Sequence, residues 1–278
     1  MLLFRPTSSA AADPDLHAVL RELRSEVMTV VADRFIGLYL WGSLANGGFD
    51  AFSDIDFVVA LDCDIPDDGL PGLRAMHTRL RALPSAWAAH LDGSYITTTT
   101  LRRYDADHPP HLYVDHGTTE PVRSHHDNTW LFRHVVRERG MTLAGPAPHL
   151  LIDPVDPDDL RREAVAMTRG WLGAYVTDSD PLNTFGLQTY SVLTLCRMLY
   201  TLHHGDVVSK PLAAAWAMRS LDRRWAPLIE HALQARPEGI LRYRESADPE
   251  AVATTLDFIR DALEHMRDKP ASDWSDRG

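Results

Sequence analysis

Asp54 and Asp56 stand two positions apart at the head of an apolar run, Asp54 to Leu61, and a Gly42-Ser43 pair follows the apolar run before it. Side chains at i and i+2 of a strand share a face. The two carboxylates would therefore point the same way, which is costly unless a cation sits between them. Mg²⁺ prefers hard oxygen ligands, few of them from protein, with phosphates and water completing the shell. The Gly42-Ser43 turn is expected to start a short helix over Leu44 to Gly48, whose free N–H groups can hold a phosphate. Metal-binding carboxylates beside a phosphate turn imply nucleotide chemistry.

The elements that must position these residues can be read from spacing. Asp13-Pro14 has the form of a helix start, and Leu16, Val19, Leu20, Leu23, Val27 and Val30 follow at helical spacing. Phe35 to Trp41 and Asp54 to Leu61 read as strands. A helix is expected from about Leu73 to Ala89, and a third strand from Leu91 to Leu101, which is rich in Thr and Tyr. Tyr104 to Asn128 reads as loops or short edge strands, and Trp130 to Glu138 as a short helix. From Pro157 the period is helical throughout: to about Val176, Phe185 to His204 with Gly205 as its stop, Leu212 to Leu221, Trp225 to Ala235 and Pro249 to Met266. The tail from Asp268 reads as frayed. The expected architecture is an α/β (α+β) domain over residues 1–155 and an all-α helical bundle over 156–278.

Composition narrows the chemistry. The 278 residues carry a net charge of −11, which argues against a nucleic-acid partner, because such binding neutralises phosphates with Lys and Arg. A cationic or neutral small acceptor fits an acidic protein better. Cys63 and Cys196 form no motif and read as reduced thiols. No apolar run has the length of a membrane span, so a cytoplasmic protein is expected, as a monomer.

Gly42, Ser43, Ala45, Gly47, Ser53, Asp54, Ile55 and Asp56 together resemble the G-S-x-A-x-G-x(5)-S-D-I-D signature of the nucleotidyltransferase superfamily, which has the DNA polymerase β-like fold. The resemblance implies a third acid on a neighbouring strand. Asp92, at the start of the expected third strand, is the candidate for metal ligand, general base or both. Asp115 and Glu120 are the alternatives, and a turn-capping role beside Gly93 is the non-catalytic reading of Asp92.

In the helical half, Arg197 lies in an otherwise apolar stretch and needs an anionic partner. Lys210 opens a helix, the wrong end for a cation on dipole grounds, so a bound anion would explain it. An ion pair inside the bundle is the other reading of Arg197. Residues Tyr190 to Met218 are similar to the C-terminal helical domain of the aminoglycoside 3″-adenylyltransferases, the streptomycin/spectinomycin resistance enzymes. Shared features are L-T-L-x-R, then Y, then G-x-[VI]-x-x-K and A-A-x-W-A-M. That resemblance implies that Arg197 and Lys210 contact ATP phosphates across an interdomain cleft.

The pattern departs from the family where the drug is read. Asn183 and Leu187 occupy the best-aligning positions of its acidic residues, with Asp178 and Asp180 displaced upstream. Tyr113-Val-Asp-His-Gly117 replaces a Phe-Gly-Glu-Trp segment, and a tyrosine near the nucleotide falls at Ala235 or Arg236. Asp178, Asp180 and Asn183 are the substrate-side candidates.

The resemblance implies that Asp54, Asp56 and Asp92 hold two Mg²⁺ on ATP, with Gly42, Ser43 and Ser53 on the nucleotide. AMP would then pass to a hydroxyl of an aminoglycoside or aminocyclitol. Another acceptor, or a regulator that binds nucleotide without catalysis, are the alternatives. Among fourteen histidines, His108-x-x-His111 comes nearest to a metal-ligand spacing, but inside a proline loop it reads as solvated.

Overall fold

The computed structural model describes residues 13–50, 53–235 and 243–267; the tail from Asp268 and Arg236 lie outside them. The chain divides into two compact units, Met1–Pro154 and Val155–Gly278.

The first unit is a mixed six-stranded sheet with helices on both faces. Its elements are α1 (Pro14–Val31), β1 (Phe35–Leu40), α2 (Gly42–Asn46), β2 (Ile55–Leu61), α3 (Leu70–Arg81), β3 (Leu91–Thr97), α4 (Thr98–Arg102), β4 (His111–Val114), β5 (Val122–Ser124), α5 (Trp130–Arg139) and β6 (Met141–Ala144). The strand order is β5-β4-β3-β2-β1-β6. Only β2 and β3 run parallel. Asp13 caps α1 through its carboxylate, which accepts from the N–H groups of Asp15 and Leu16.

Alternation sorts the sheet's two faces. Leu38, Leu40, Ile55, Phe57, Val59, Leu61 and Tyr95 turn to one side and form a single core with the apolar stripes of α1 and α3. Tyr39, Val58, Ala60 and Ile96 turn to the other, against Phe132 and Val136 of α5. Asp56 and Asp92 share this second face.

Three sequence expectations are corrected here. The helix expected to Ala89 ends at Arg81, and Ala86–Ala89 forms a separate 3-10 turn. Pro84 cannot continue a helix, and Ser85 caps the new turn by accepting from the Trp87 N–H. The third strand stops at Thr97, whose hydroxyl accepts from the Thr100 N–H and starts α4. Strand β6 had no signal; it is four residues long at a sheet edge, paired to β1.

The second unit is helical: α6 (Pro157–Met167), a π-turn over Thr168–Leu172, α7 (Phe185–His204), α8 (Lys210–Ser220), α9 (Ala226–Ala235) and α10 (Pro249–Arg267). The expected single helix to Val176 is interrupted at this π-turn, where the Thr168 hydroxyl donates to the Ala164 carbonyl. Helix α7 is apolar nearly all round, as a central helix must be, and α6, α8, α9 and α10 pack on it. Gly205 ends it in the left-handed conformation, φ +62°.

Candidate active site

The site is built from strand register. In the parallel β2–β3 ladder Asp56 is paired with Asp92, and Ile55 with Leu91. Paired residues face the same way, and Asp54 stands two residues before Asp56. Asp56 and Asp92 therefore stand side by side at one end of the α5-covered face, with Asp54 just before the strand. The Asp56 carbonyl accepts from the Trp41 N–H at 3.0 Å, which fixes the start of β2 beside the turn that follows β1.

That turn is Gly42, at φ +61°. A Cβ here would lie 1.8 Å from the Asp56 Oδ2, so only glycine permits both the left-handed backbone and the close carboxylate. Gly93, next to Asp92, has a different reason: a Cβ would meet the Phe57 ring at 2.3 Å. It lies within β3, not in a turn, so Asp92 is a strand residue.

Ser43 follows Gly42 in α2. Its Oγ is buried and has no hydrogen-bond partner among the described residues. A buried hydroxyl in that position needs a partner, and a phosphate oxygen is one group that could supply it. Ser53 is placed differently: its hydroxyl donates to Asp50 Oδ1 at 3.0 Å and accepts from the Asp50 N–H at 3.1 Å. It braces the loop into Asp54.

Asp92 has a shell of its own. Its Oδ2 accepts from the Tyr113 hydroxyl at 2.9 Å, and the same hydroxyl lies 3.3 Å from Asp115. His116 Nδ1 is 3.1 Å from Asp115 and 3.9 Å from Asp92. The Asp92 carboxylate foremost, with Asp54 and Asp115, pushes the His116 ring up to about 9 against the opposing effect of burial. Burial, and then the Asp92 charge, drive the Tyr113 phenol far above its usual range, so it stays a donor. His90 Nδ1 lies 3.4 Å from Asp54.

Beneath this shell the His126 ring stacks on Tyr113, with centroids 4.1 Å apart. Asp127, buried, accepts from the Ser94 hydroxyl at 2.7 Å. Burial pushes its carboxyl above the ordinary range.

Of the alternative acids, Asp115 joins the Asp92 shell. Glu120 does not: it is exposed and paired with Arg74 at 2.7 Å. Tyr113, His116 and His126 carried no catalytic signal of their own in the sequence. The i, i+2 spacing of Tyr113 and Asp115 is the pattern that places both on the face of Asp92.

In the helical unit, Arg197 is part-buried, and its Nε has no partner among the described residues. The intrabundle ion pair is absent among them. Tyr190 lies two helical turns before Arg197, on the same side of α7, and Lys210 Nζ stands 3.6 Å above the Tyr190 ring centre. Both cations thus share one flank of α7. Asp178, Asp180 and Asn183 are exposed. Asp178 accepts from the Asp180 N–H at 3.2 Å, and the Asn183 carbonyl accepts from Ala247 at 2.7 Å. Cys63 and Cys196 are both free thiols.

The expectation of a solvated His108-x-x-His111 loop is overturned. His108 is 8% exposed and His111 5%.

The family model of the aminoglycoside adenylyltransferase C-terminal domain matches residues 150–262. An aminoglycoside (3″)(9) adenylyltransferase of Shigella flexneri is 26% identical over 238 residues, covering 78% of this chain and 87% of the relative. A spectinomycin 9-adenylyltransferase of Campylobacter jejuni is 21% identical over 250 residues, covering 86% and 92%. Among solved structures, the spectinomycin adenyltransferase AAD(9) of Enterococcus faecialis, crystallised with ATP and spectinomycin, superposes with a TM-score of 0.67. The match covers 89% of this chain and 99% of that one, and at 15% identity the likeness is one of fold. In its helical domain the chain matches the aminoglycoside adenylyltransferase C-terminal model, and over most of its length it is similar to aminoglycoside and spectinomycin adenylyltransferases.

Proposed function

We propose that the protein transfers AMP from ATP to a hydroxyl of a small cationic or aminocyclitol antibiotic of the streptomycin/spectinomycin type, with Mg²⁺. The observation that supports this reading is the register of Asp56 with Asp92, which puts two carboxylates side by side on one face. The similarity to named adenylyltransferases suggests the reaction type. An all-oxygen donor set, a glycine fitted to Asp56 and the orphaned Ser43 hydroxyl suit a hard cation carrying phosphate.

Asp54, Asp56 and Asp92 would hold the metal, which neutralises phosphate charge when bound. The chain's own groups do the rest. Asp92 takes the proton from the acceptor hydroxyl as that oxygen attacks the α-phosphorus, and pyrophosphate leaves in line. Tyr113 holds Asp92 Oδ2 in place. Gly42 and Ser43 present backbone and hydroxyl donors to the phosphates, and Ser53 keeps the loop that delivers Asp54. Arg197 and Lys210 are proposed as phosphate contacts, supported by the resemblance and by the unpartnered Arg197 Nε. Asp178 and Asp180 are proposed to meet the acceptor's cationic groups. Two free cysteines and the need for ATP suit the cytoplasm.

Incubation with α-labelled ATP, Mg²⁺ and either streptomycin or spectinomycin, followed by mass analysis, tests the acceptor. An AMP adduct of either drug is the expected product. Label transferred only to an acceptor outside this class would refute the assignment while retaining the reaction. That second reading is favoured by Asn183 and Leu187, which stand where the family's acidic drug-reading residues align.

A further inference from the structure

We propose that His90 is a positioning residue for Asp54, its imidazole N–H holding the carboxylate that lies outside the strands. The inference rests on the metal-dependent reading above. Asp56 and Asp92 stand within β2 and β3, where the ladder fixes their backbone. Asp54 precedes β2, so the ladder does not reach it. Its Oδ1 lies 3.4 Å from His90 Nδ1, and among the described residues no other side chain is hydrogen-bonded to that carboxylate. An ionised carboxylate only accepts, so the imidazole proton of this contact sits on Nδ1.

His90 is itself held from several sides. Ser85 accepts from the Trp87 N–H and opens the 3-10 turn Ala86–Ala89. His90 closes that turn, donating its N–H to the Trp87 carbonyl at 3.0 Å. Its own carbonyl accepts from the Ile55 N–H at 2.7 Å. Backbone and side chain of His90 thus grip two successive residues, Ile55 and Asp54. The imidazole stands at 66° to the Trp87 ring, with centres 6.1 Å apart. Trp87 in turn stacks on Phe49, centres 5.0 Å apart, and its indole N–H donates to Asp13 Oδ2 at 2.8 Å. Phe49 belongs to the segment between the Gly42 turn and Asp54, and Asp13 caps α1. One indole therefore ties α1, the segment leading to Asp54 and the histidine beside it.

Carboxylates that ligate a metal are as a rule hydrogen-bonded themselves, and losing such a partner weakens metal binding by about 10–100-fold. The Asp54 side chain is 37% exposed, that of His90 23%. An unheld Asp54 would give up rotamer freedom on taking a cation. The imidazole fixes it beforehand, which is preorganisation.

The test titrates the full chain with α,β-methylene-ATP, a nucleotide that adenylyl transfer cannot cleave, once as its Mn²⁺ complex and once in chelator. The ratio of the two affinities is the metal's contribution. His90→Ala should weaken binding of the Mn²⁺ complex about tenfold and leave binding in chelator unchanged. His90→Asn should stay close to wild type, because its amide N–H stands where the Nδ1–H does. If Mn²⁺ adds nothing to wild-type affinity, the metal reading and this inference fall together. If Mn²⁺ strengthens binding equally in wild type and His90→Ala, the role of His90 alone is overturned. Equal weakening of both forms of the nucleotide by His90→Ala also overturns it, as a general disturbance of the fold. So does a loss in His90→Asn as large as that in His90→Ala.

Discussion

At the scale of single residues, the site depends on how closely the backbone approaches a carboxylate. Gly42 has its Cα against Asp56 and a positive φ. Gly42→Ala is expected to cost about 1–3 kcal/mol in stability and to lower kcat at least 100-fold, because the added methyl displaces Asp56 Oδ2. Chemical denaturation and steady-state kinetics measure the two effects separately. Tyr113→Phe is a milder change. It keeps the ring that stacks on His126 and removes only the hydroxyl that holds Asp92. A fall in kcat of about tenfold with the KM for ATP nearly unchanged is the expected outcome, since the interaction serves the transition state more than binding. Equal changes in both constants would remove Tyr113 from the positioning role.

At the scale of elements, the seam between α3 and β3 carries a buried histidine. His77 Nε2 lies 2.8 Å from the Tyr95 hydroxyl, and burial holds the ring down at about 4, well under its ordinary 6.5. The folded state therefore resists a proton that the unfolded chain accepts. Stability is full above pH 6.5 and declines as pH falls toward 4, by about 3 kcal/mol from this group. His77→Gln should flatten the decline between pH 7 and 5 in urea titrations, though not abolish it, because His111 acts in the same direction. An unchanged slope would show that His77 is not the group responsible.

Strands β1 and β2 and helix α7 could be read from sequence because their periods are long and unbroken. The shared face of Asp56 and Asp92 follows from strand alternation and the β2–β3 register, though Asp92 was singled out only by the resemblance. The shell around Asp92 could not be read from sequence. Strand β4 has four residues, and Tyr113 meets Asp92 only through the antiparallel register of β3 with β4. The Thr-rich stretch after Ile96 has β propensity, yet Thr97 uses its hydroxyl as a helix cap. Local chemistry outweighed propensity there. The His108–His111 loop was misread because polarity and prolines suggest exposure, whereas His111 pairs with β5 and both rings are buried.

At the scale of the whole molecule, the proposed cationic acceptor would meet a chain of net charge −11 with Asp178 and Asp180 exposed. The KM for a cationic acceptor should rise several-fold between low salt and 0.5 M salt, with kcat little changed. A salt-independent KM would contradict electrostatic capture. Arg197→Ala should raise the KM for ATP by about tenfold or more while far-UV circular dichroism stays unchanged, since no internal partner of the guanidinium Nε is lost among the described residues. Among those residues no helix is long and apolar enough to cross a membrane.

The central claim is that the β2–β3 carboxylates perform metal-dependent adenylyl transfer. It is tested most directly by pyrophosphate release from ATP with spectinomycin or streptomycin, with Mg²⁺ or with chelator, for the wild type and Asp56→Asn. The account predicts release only with Mg²⁺ and acceptor, and a loss of several orders of magnitude in a variant that still unfolds cooperatively. Release by folded Asp56→Asn near the wild-type rate, or undiminished release in chelator, would contradict it.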